Sequence, residues 1–453
     1  MKTESLKIAI FHLGFFYSGG GEKLVLEEIR GLRALGHEVA CFAPYVDREG
    51  CYPGMPEMAE VRHILPPPPT WFPARDSISI AMSCVLIPFL ALRFRSFDVF
   101  LGANQPGPWL AWVLAKILRK PYVVYLSQPL RILHPRKVDL ESGLTIRDRE
   151  ADRRFLGSLT TILGRFIDWA DRVSVRNAAI MLSDGDHVSQ WLREVYERDD
   201  RLCPAGCHPV AKDELRYSNR WEGEFPVNDH VIRKPYILLS NRHVPPKRFE
   251  YALWALKQIR RDAKNLSLII TGQETSYTDQ LRYLAGGLGL ESSVHFVGLV
   301  SENDLARLYA EAVLYVYPSP EEDFGMGVIE AMASGTPVVA WNSGGPTGTI
   351  VDGETGYLIA PYDTDDFATK MLRLCSSPPL AERMGRNGHQ RAVEVFSFAR
   401  HNRVVEEALV AAVRERESQH AFEKIDAMSY LLPEEGKRRQ EAYGLVETDD
   451  YAK

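Results

Sequence analysis

Two series of short, unbroken apolar runs, each followed by a helical pattern, constrain this chain more than any other feature. Residues 8–11, 39–43, 99–101, 122–126 and 179–182 form the first series, and residues 236–240, 266–270, 294–297, 313–317 and 338–341 the second. A β-rich run without polar alternation is a strand covered on both faces, and alternation with helices makes the sheet parallel. The expected fold class is therefore α/β, with two doubly wound, Rossmann-like domains facing a central cleft. Doubly wound sheets bind ligands beyond the carboxyl ends of their strands, so the chemistry is expected just after the runs. The pattern lapses over residues 201–234, which places the first domain at 1–205 and the second at 206–399. Beyond Arg414 the chain is rich in Glu, Lys and Arg, and residues 415–453 read as a charged helical tail.

Charge and cysteine usage narrow the function classes. With 54 Lys+Arg against 60 Asp+Glu, the formal charge of −6 leaves no cation excess to neutralise a phosphate backbone, so no nucleic-acid partner is expected. Six scattered cysteines do not make a disulfide scaffold, and the start shows no signal-peptide core, so a cytoplasmic protein is expected. Cys203, Cys207 and His208 lie together but lack a fourth ligand, and no metal is expected there. Residues 77–92 are uncharged, hold Pro88 and three serines, and fall short of the ~20 residues of a spanning helix. They read as a buried helix, with a segment lying on a membrane as the alternative. The stretches 66–73 and 134–154 are long connections of the kind that serve as binding loops or as solvated insertions.

Three motifs follow strands. Residues 14–23 read Gly-Phe-Phe-Tyr-Ser-Gly-Gly-Gly-Glu-Lys, a turn whose glycines let backbone approach a phosphate at a helix N-terminus, although a plain tight turn has the same signature. It is neither a P-loop nor G-x-G-x-x-G. Arg242 and Lys247, five residues apart beyond residue 240, can converge on a diphosphate or be surface cations. The third motif, residues 318–337, is the most informative: a buried strand, a loop with Glu322, and a helix from about Gly327 to Gly335 carrying Glu330 in its first turns. Both carboxylates can then face one crevice and accept sugar hydroxyls, with helix N–H groups between them for a phosphate.

On these residues the chain resembles the retaining GT-B glycosyltransferases of the GT4 family, with their E-x7-E signature from Glu322 to Glu330. Thr271-Gly272, residues 296–298, 342–346 and 353–361 fall where that family has its landmarks, and the Glu-Asp-Phe-Gly form and Gln128-Pro129-Leu130-Arg131 look most like the mannosyltransferase branch. The resemblance implies that Glu330 holds the ribose and Glu322 the donor sugar. Arg242 and Lys247 then neutralise the diphosphate with help from Gly19, Gly20, Met326 and Gly327, and Gly272, Phe324 and Gly325 complete the donor side. Ser127, Gln128, Arg131 and His134 are the acceptor-side candidates, and the helix from about residue 400 is expected to pack back on the first domain. The implied reaction moves a hexose from a nucleotide diphosphate, GDP-mannose before UDP-hexoses, to a glycan or lipid-linked acceptor. It uses no metal or cofactor and allows peripheral membrane contact.

Two residues depart from the family pattern: Ser127 stands where relatives commonly have histidine, and Gly348 where many have glutamate. His12 and His134 are candidates to replace the imidazole, although a lone histidine is more often structural. The Asp-x-Asp pairs at 184–186 and 363–365 read as helix N-caps rather than Mg²⁺ sites. An oxidoreductase is the rival from another class, and it lacks a G-x-G-x-x-G turn after any strand. A non-catalytic sugar-nucleotide or glycan-binding subunit is the second rival, kept open by Ser127 and Gly348.

Overall fold

The computed structural model describes residues 5–431 except 49, 53–54, 70, 73 and 142–149. The tail beyond 431 and the middle of the 134–154 stretch lie outside the described residues.

Among the described residues, the front half forms a seven-stranded parallel sheet of β1 (Lys7–His12), β2 (Glu38–Ala43), β3 (Arg62–His63), β4 (Val99–Ala103), β5 (Tyr122–Leu126), β6 (Ile180–Ser183) and β7 (Arg201–Leu202). Their order is β3-β2-β1-β4-β5-β6-β7. After a hairpin of β8 (Glu224–Val227) and β9 (His230–Arg233), the back half forms a six-stranded sheet. It comprises β10 (Tyr236–Ser240), β11 (Ser267–Thr271), β12 (Val294–Gly298), β13 (Leu314–Tyr317), β14 (Val338–Trp341) and β15 (Gly356–Ile359). The order there is β12-β11-β10-β13-β14-β15, again parallel. The apolar runs are buried because both faces of each sheet are covered: Ile8, Ile10 and Leu101 face one core cluster and Ala9, Phe11 and Phe100 another.

In both sheets the first strand is central. β1 lies between β2 and β4, with Ile10 opposite Cys41 and Leu101, and β10 lies between β11 and β13, with Leu238 opposite Ile269 and Tyr315. The connections diverge to opposite sides at these points, which opens a crevice at the carboxyl ends of the strands. The loops after β1, β4, β10 and β13 therefore face one another.

The chain crosses between the halves twice, at 203–207 and 396–398. The crossings pair side by side: Cys207 N–H donates to Phe396 O at 2.7 Å, and Phe398 N–H to Cys207 O at 3.1 Å. The C-terminal helix, Phe398–Leu431, then packs on the first helix, Gly20–Ala34, and on β4, β5 and β6.

Three expectations need correction. Residues 201–234 are not merely a connection, because the β8–β9 hairpin tucks Phe225, Val227 and Ile232 under the second sheet. The 77–92 stretch is not a buried helix: within the helix Arg75–Leu86 and the 3₁₀ turn Ile87–Phe94, one face carries exposed Met82, Val85, Phe89 and Leu92. Asp184 does not cap the helix Asp186–Tyr196, whose N-cap is Gly185, whereas Asp363 does cap its helix by accepting from Asp366 N–H at 3.0 Å.

Candidate active site

The loop after β13 is held in place from below. Gly344 approaches so closely that a Cβ there would stand 2.3 Å from Glu322 O, and Gly345 N–H donates to that same oxygen at 2.6 Å. Ser343 Oγ accepts from Glu321 N–H at 3.1 Å. Glu322 is thereby turned inward, where Lys247 Nζ and the Tyr317 hydroxyl meet its carboxylate. Burial opposes its charge, yet the Lys247 ammonium and the Arg136 guanidinium overcome this and hold the carboxyl down to about 2. Glu322 is therefore an anion at any working pH.

Gly325 starts the helix Met326–Ala333 from the left-handed region, and Glu330 lies one turn in. Tyr309 donates its hydroxyl to Glu330 Oε2 at 3.1 Å, and Lys23 Nζ donates to Oε1 at 2.9 Å. Lys23 belongs to the front half, on the helix opened by Gly19 and Gly20, and it also reaches Glu302 at 3.3 Å. Burial works against its charge, but Glu330 and Glu302 more than compensate and raise its pKa above the ordinary lysine value. Gly20 abuts Met326 so closely that a Cβ would stand 2.9 Å from its Cγ, so the front and back turns meet.

Arg242 follows β10, and its turn exists because Gly272, at φ +139°, leaves room for Asn241 O 1.8 Å from where a Cβ would be. The Arg242 guanidinium lies 4.9 Å over the Tyr17 ring, which belongs to the glycine turn. Glu22 is buried beside that turn, and burial pushes its carboxyl up to about 7 against the pull of Arg242. The structure thus brings Glu322, Lys247, Arg242, Glu330, Lys23, Gly19, Gly20, Met326 and Gly327 to one cleft. Two carboxylates, three cations and a helix N-terminus are what a sugar attached to an anionic diphosphate requires.

The other predicted residues stand elsewhere or are already engaged. The Phe324 ring is buried in the core, 6.0 Å from Phe396, so only the backbone of that residue is left to a donor. Arg131 is not open to an acceptor: it is nine-tenths buried, paired with Asp323, bonded to Gln128 Oε1 at 2.8 Å and 5.0 Å over Trp191. Burial and the nearby Arg172 charge lower the pKa of His134, whose Nε2 is buried with no hydrogen-bond partner among the described residues. His12 is buried at the end of β1, accepts from Gly14 N–H at 3.4 Å and is pushed down to about 4 by burial. Ser127 contacts the Asp184 carboxyl, which burial holds well above the carboxylate range.

Sequence reasoning gave no role to Lys23, Glu22 or Arg136, and read Asp184 as a helix cap and not as the partner of Ser127. Lys23 and Glu22 lay inside the quoted glycine motif, so a signal existed. Arg136, whose guanidinium ties Asp139 at 2.8 Å and Glu321 O at 3.2 Å, carried none. Beside it opens a recess of about 440 Å³ lined by Lys137, Glu141, Arg248, Tyr251, Glu321 and Tyr362 among others. Cys203 and Cys207 bond to His401 and to Phe396 O, and among the described residues no group of His, Cys, Asp or Glu is arranged to hold a metal ion.

Comparison with known proteins identifies the two domains and the fold. Residues 19–207 match the model of a glycosyl transferase 4-like domain, and residues 223–391 match glycosyl transferases group 1, so the two cover most of the chain. An MMP alpha-(1->4)-mannosyltransferase of Mycolicibacterium hassiacum is 36% identical over 177 residues, which is 38% of this chain and 42% of that enzyme. The chain thus spans less than half of that relative's length. An alpha-1,3/1,6-mannosyltransferase of Dictyostelium discoideum is 28% identical over 428 residues, covering 87% of this chain and 96% of that one. Among solved structures, HepE of Anabaena in complex with UDP superposes with a TM-score of 0.65 at 17% identity, over 90% of this chain and 100% of that one, and shares the fold.

Proposed function

Because the chain belongs to the GT4 family of GT-B glycosyltransferases, we propose that it transfers a mannose from GDP-mannose to a hydroxyl of a lipid-linked or polysaccharide precursor, with retention of anomeric configuration. The observation that carries the reading is the charge arrangement of the cleft. Glu330 and Glu322 are each already paired with a lysine, Lys23 and Lys247, so an incoming donor exchanges partners instead of stranding charges. Ribose hydroxyls take the place of Lys23 at Glu330. The β-phosphate draws Lys247 from Glu322, which turns to the sugar.

Lys247 and Arg242 then stand where charge develops on the β-phosphate as the glycosidic bond breaks, together with the first N–H groups of the helix Met326–Ala333. Preorganised cations and dipoles at a leaving group lower the barrier without a metal. Mannose is favoured because two of the relatives, one of them aligned along nearly its whole length, carry mannosyltransferase names. A UDP-hexose is the second donor, since a neighbour of the same fold is named with UDP. The site of action under this reading is the cytoplasm, at the inner face of the membrane when the acceptor is lipid-linked.

The deciding experiment is thermal stabilisation by GDP, UDP, ADP, dTDP and their mannose or glucose conjugates. A ligand at a hundred times its Kd adds about 2.7 kcal/mol. A selective response to GDP and GDP-mannose is expected. A selective response to UDP would replace the donor, and none to any nucleotide would sink the transferase reading. Slow hydrolysis of the bound donor then separates an enzyme from a binding subunit.

A further inference from the structure

The helical stretch 75–94 is long and apolar enough to cross a membrane, yet it is folded onto the flank of the front half with its faces inverted. Ser77, Ser79 and Ser83 point inward and are buried, while Val85, Phe89 and Leu92 are 68%, 83% and 76% exposed. A surface helix facing water has the opposite arrangement. The exposed side chains continue onto the helix Glu150–Arg176, where Leu163, Phe166 and Trp169 are also exposed. Trp109 joins the two helices: its ring lies 6.1 Å from Phe166, and its indole N–H donates to Cys84 O at 3.1 Å. So large a continuous apolar surface is rare on a protein that stays in water.

Its charge is as uneven as its polarity. Between residues 71 and 120 there are six cations, Arg75, Arg93, Arg95, Lys116, Arg119 and Lys120, and two acids, in a chain whose net charge is −6. Of the acids, Asp76 is buried and Asp98 accepts from Lys7 N–H at 2.8 Å. Arg93, Arg95, Lys116 and Arg119 are exposed, Arg93 with one N–H donated to Ile64 O at 3.0 Å, and exposed Arg165 lies between Leu163 and Phe166 in sequence.

We propose that this flank docks on the surface of an anionic lipid bilayer. The apolar face seats at the boundary of headgroups and acyl chains, and the arginines and lysines contact lipid phosphates. The segment lies on the bilayer instead of crossing it, because Ile87, Ala91 and Phe94 are built into the core. Phe94 packs 5.3 Å from Phe11 and 4.9 Å from Phe42, so crossing would dismantle the first sheet. The docked surface also reaches the cleft. Trp71 and Phe72 precede Arg75, whose guanidinium bonds the Tyr45 hydroxyl, and Tyr45 stacks at 5.7 Å on Phe16 of the glycine turn. Delivery of a lipid-linked acceptor along this path rests on the transferase reading; adhesion to the bilayer does not.

The test is flotation of the full chain with phosphatidylcholine vesicles and with equimolar phosphatidylcholine and phosphatidylglycerol vesicles. Three proteins are compared: wild type, F89S/L92S and R93E/R95E. Wild type is expected to float with the anionic vesicles and less with the neutral ones. Each double variant should lower the partition coefficient at least about tenfold while keeping the nucleotide response of wild type, which shows that it is folded. Failure of wild type to float with either vesicle overturns the proposal. So does concentration-dependent self-association that F89S/L92S abolishes in sedimentation without lipid, since a second copy would then be the occupant. A wild type that floats but answers no nucleotide would retain the docking surface and remove the transferase.

Discussion

Glu22 is the titratable group whose state changes near neutral pH inside the cleft. Burial raises its carboxyl to about 7 from an ordinary 4.5, so the folded protein prefers it protonated. Its contribution to stability is fully present below pH 4.5 and is lost as pH rises through 7, a change of up to about 3 kcal/mol. Urea unfolding at pH 5 and pH 8 should show this decline in wild type and a flatter profile in Glu22→Gln; identical profiles would mean that the carboxyl is ionised and solvated. A diphosphate arriving at Gly19 and Gly20 should raise it further, so nucleotide binding near pH 7 takes up a proton in wild type and not in Glu22→Gln. Lys247 separates ground state from transition state. If its charge serves the leaving group, Lys247→Ala should lower kcat by about 10²–10³ and change KM far less. Equal losses in binding and turnover would show that Lys247 does no more than hold the donor. Glu330→Ala, by contrast, should weaken nucleotide binding, read from the same thermal shifts.

At the scale of elements, the returning C-terminal helix depends on a close crossing. At Gly31 of the first helix a Cβ would stand 1.9 Å from Asn402 Nδ2, and around that point His401 meets Glu28 at 3.1 Å and His37 meets Glu406 at 3.2 Å. Gly31→Ala gains roughly 0.5–1 kcal/mol of helix propensity but overpacks a contact whose cost is about 1–3 kcal/mol. The variant should therefore lose stability, and Asn402→Ala in the same chain should return part of it; a stabilised Gly31→Ala would contradict the crossing. The strands were legible in the sequence because a strand buried on both faces leaves an unbroken apolar run. The β8–β9 hairpin was not, since Pro226 reads as a breaker and is tolerated only because a two-stranded hairpin is all edge. The 77–92 helix was legible as apolar but not as inverted, for composition does not say which face meets the core. In the site, the seven-residue spacing placed Glu322 and Glu330 together, whereas the Lys23 partner of Glu330 lies 307 positions away and only the fold joins them.

The whole molecule is two rigid sheets joined by two adjacent crossings and tied across the cleft by ion pairs. Lys23 bridges Glu330 and Glu302, Arg131 pairs with Asp323, and Arg248 reaches Glu141 at 3.7 Å. Paired crossings side by side form a narrow hinge, so these ties set how far the halves stand apart. Of the ties, Lys23–Glu330 joins Glu330 to the opposite half, with side chains 16% and 19% exposed. A pair this shielded is weakly screened by salt, and removing one partner leaves the other carboxylate facing a cleft that favours water and opening. In the absence of nucleotide, Lys23→Met should therefore have a larger radius of gyration than wild type in small-angle scattering, whereas added NaCl should leave wild type nearly unchanged. Nucleotide should bring the variant back toward the wild-type value, because the ribose supplies the hydrogen bonds that Lys23 gave Glu330. If Lys23→Met scatters as wild type does, the Arg131–Asp323 tie and the packing of Gly20 on Met326 hold the halves together, and the exchange of partners at Glu330 is not what controls closure.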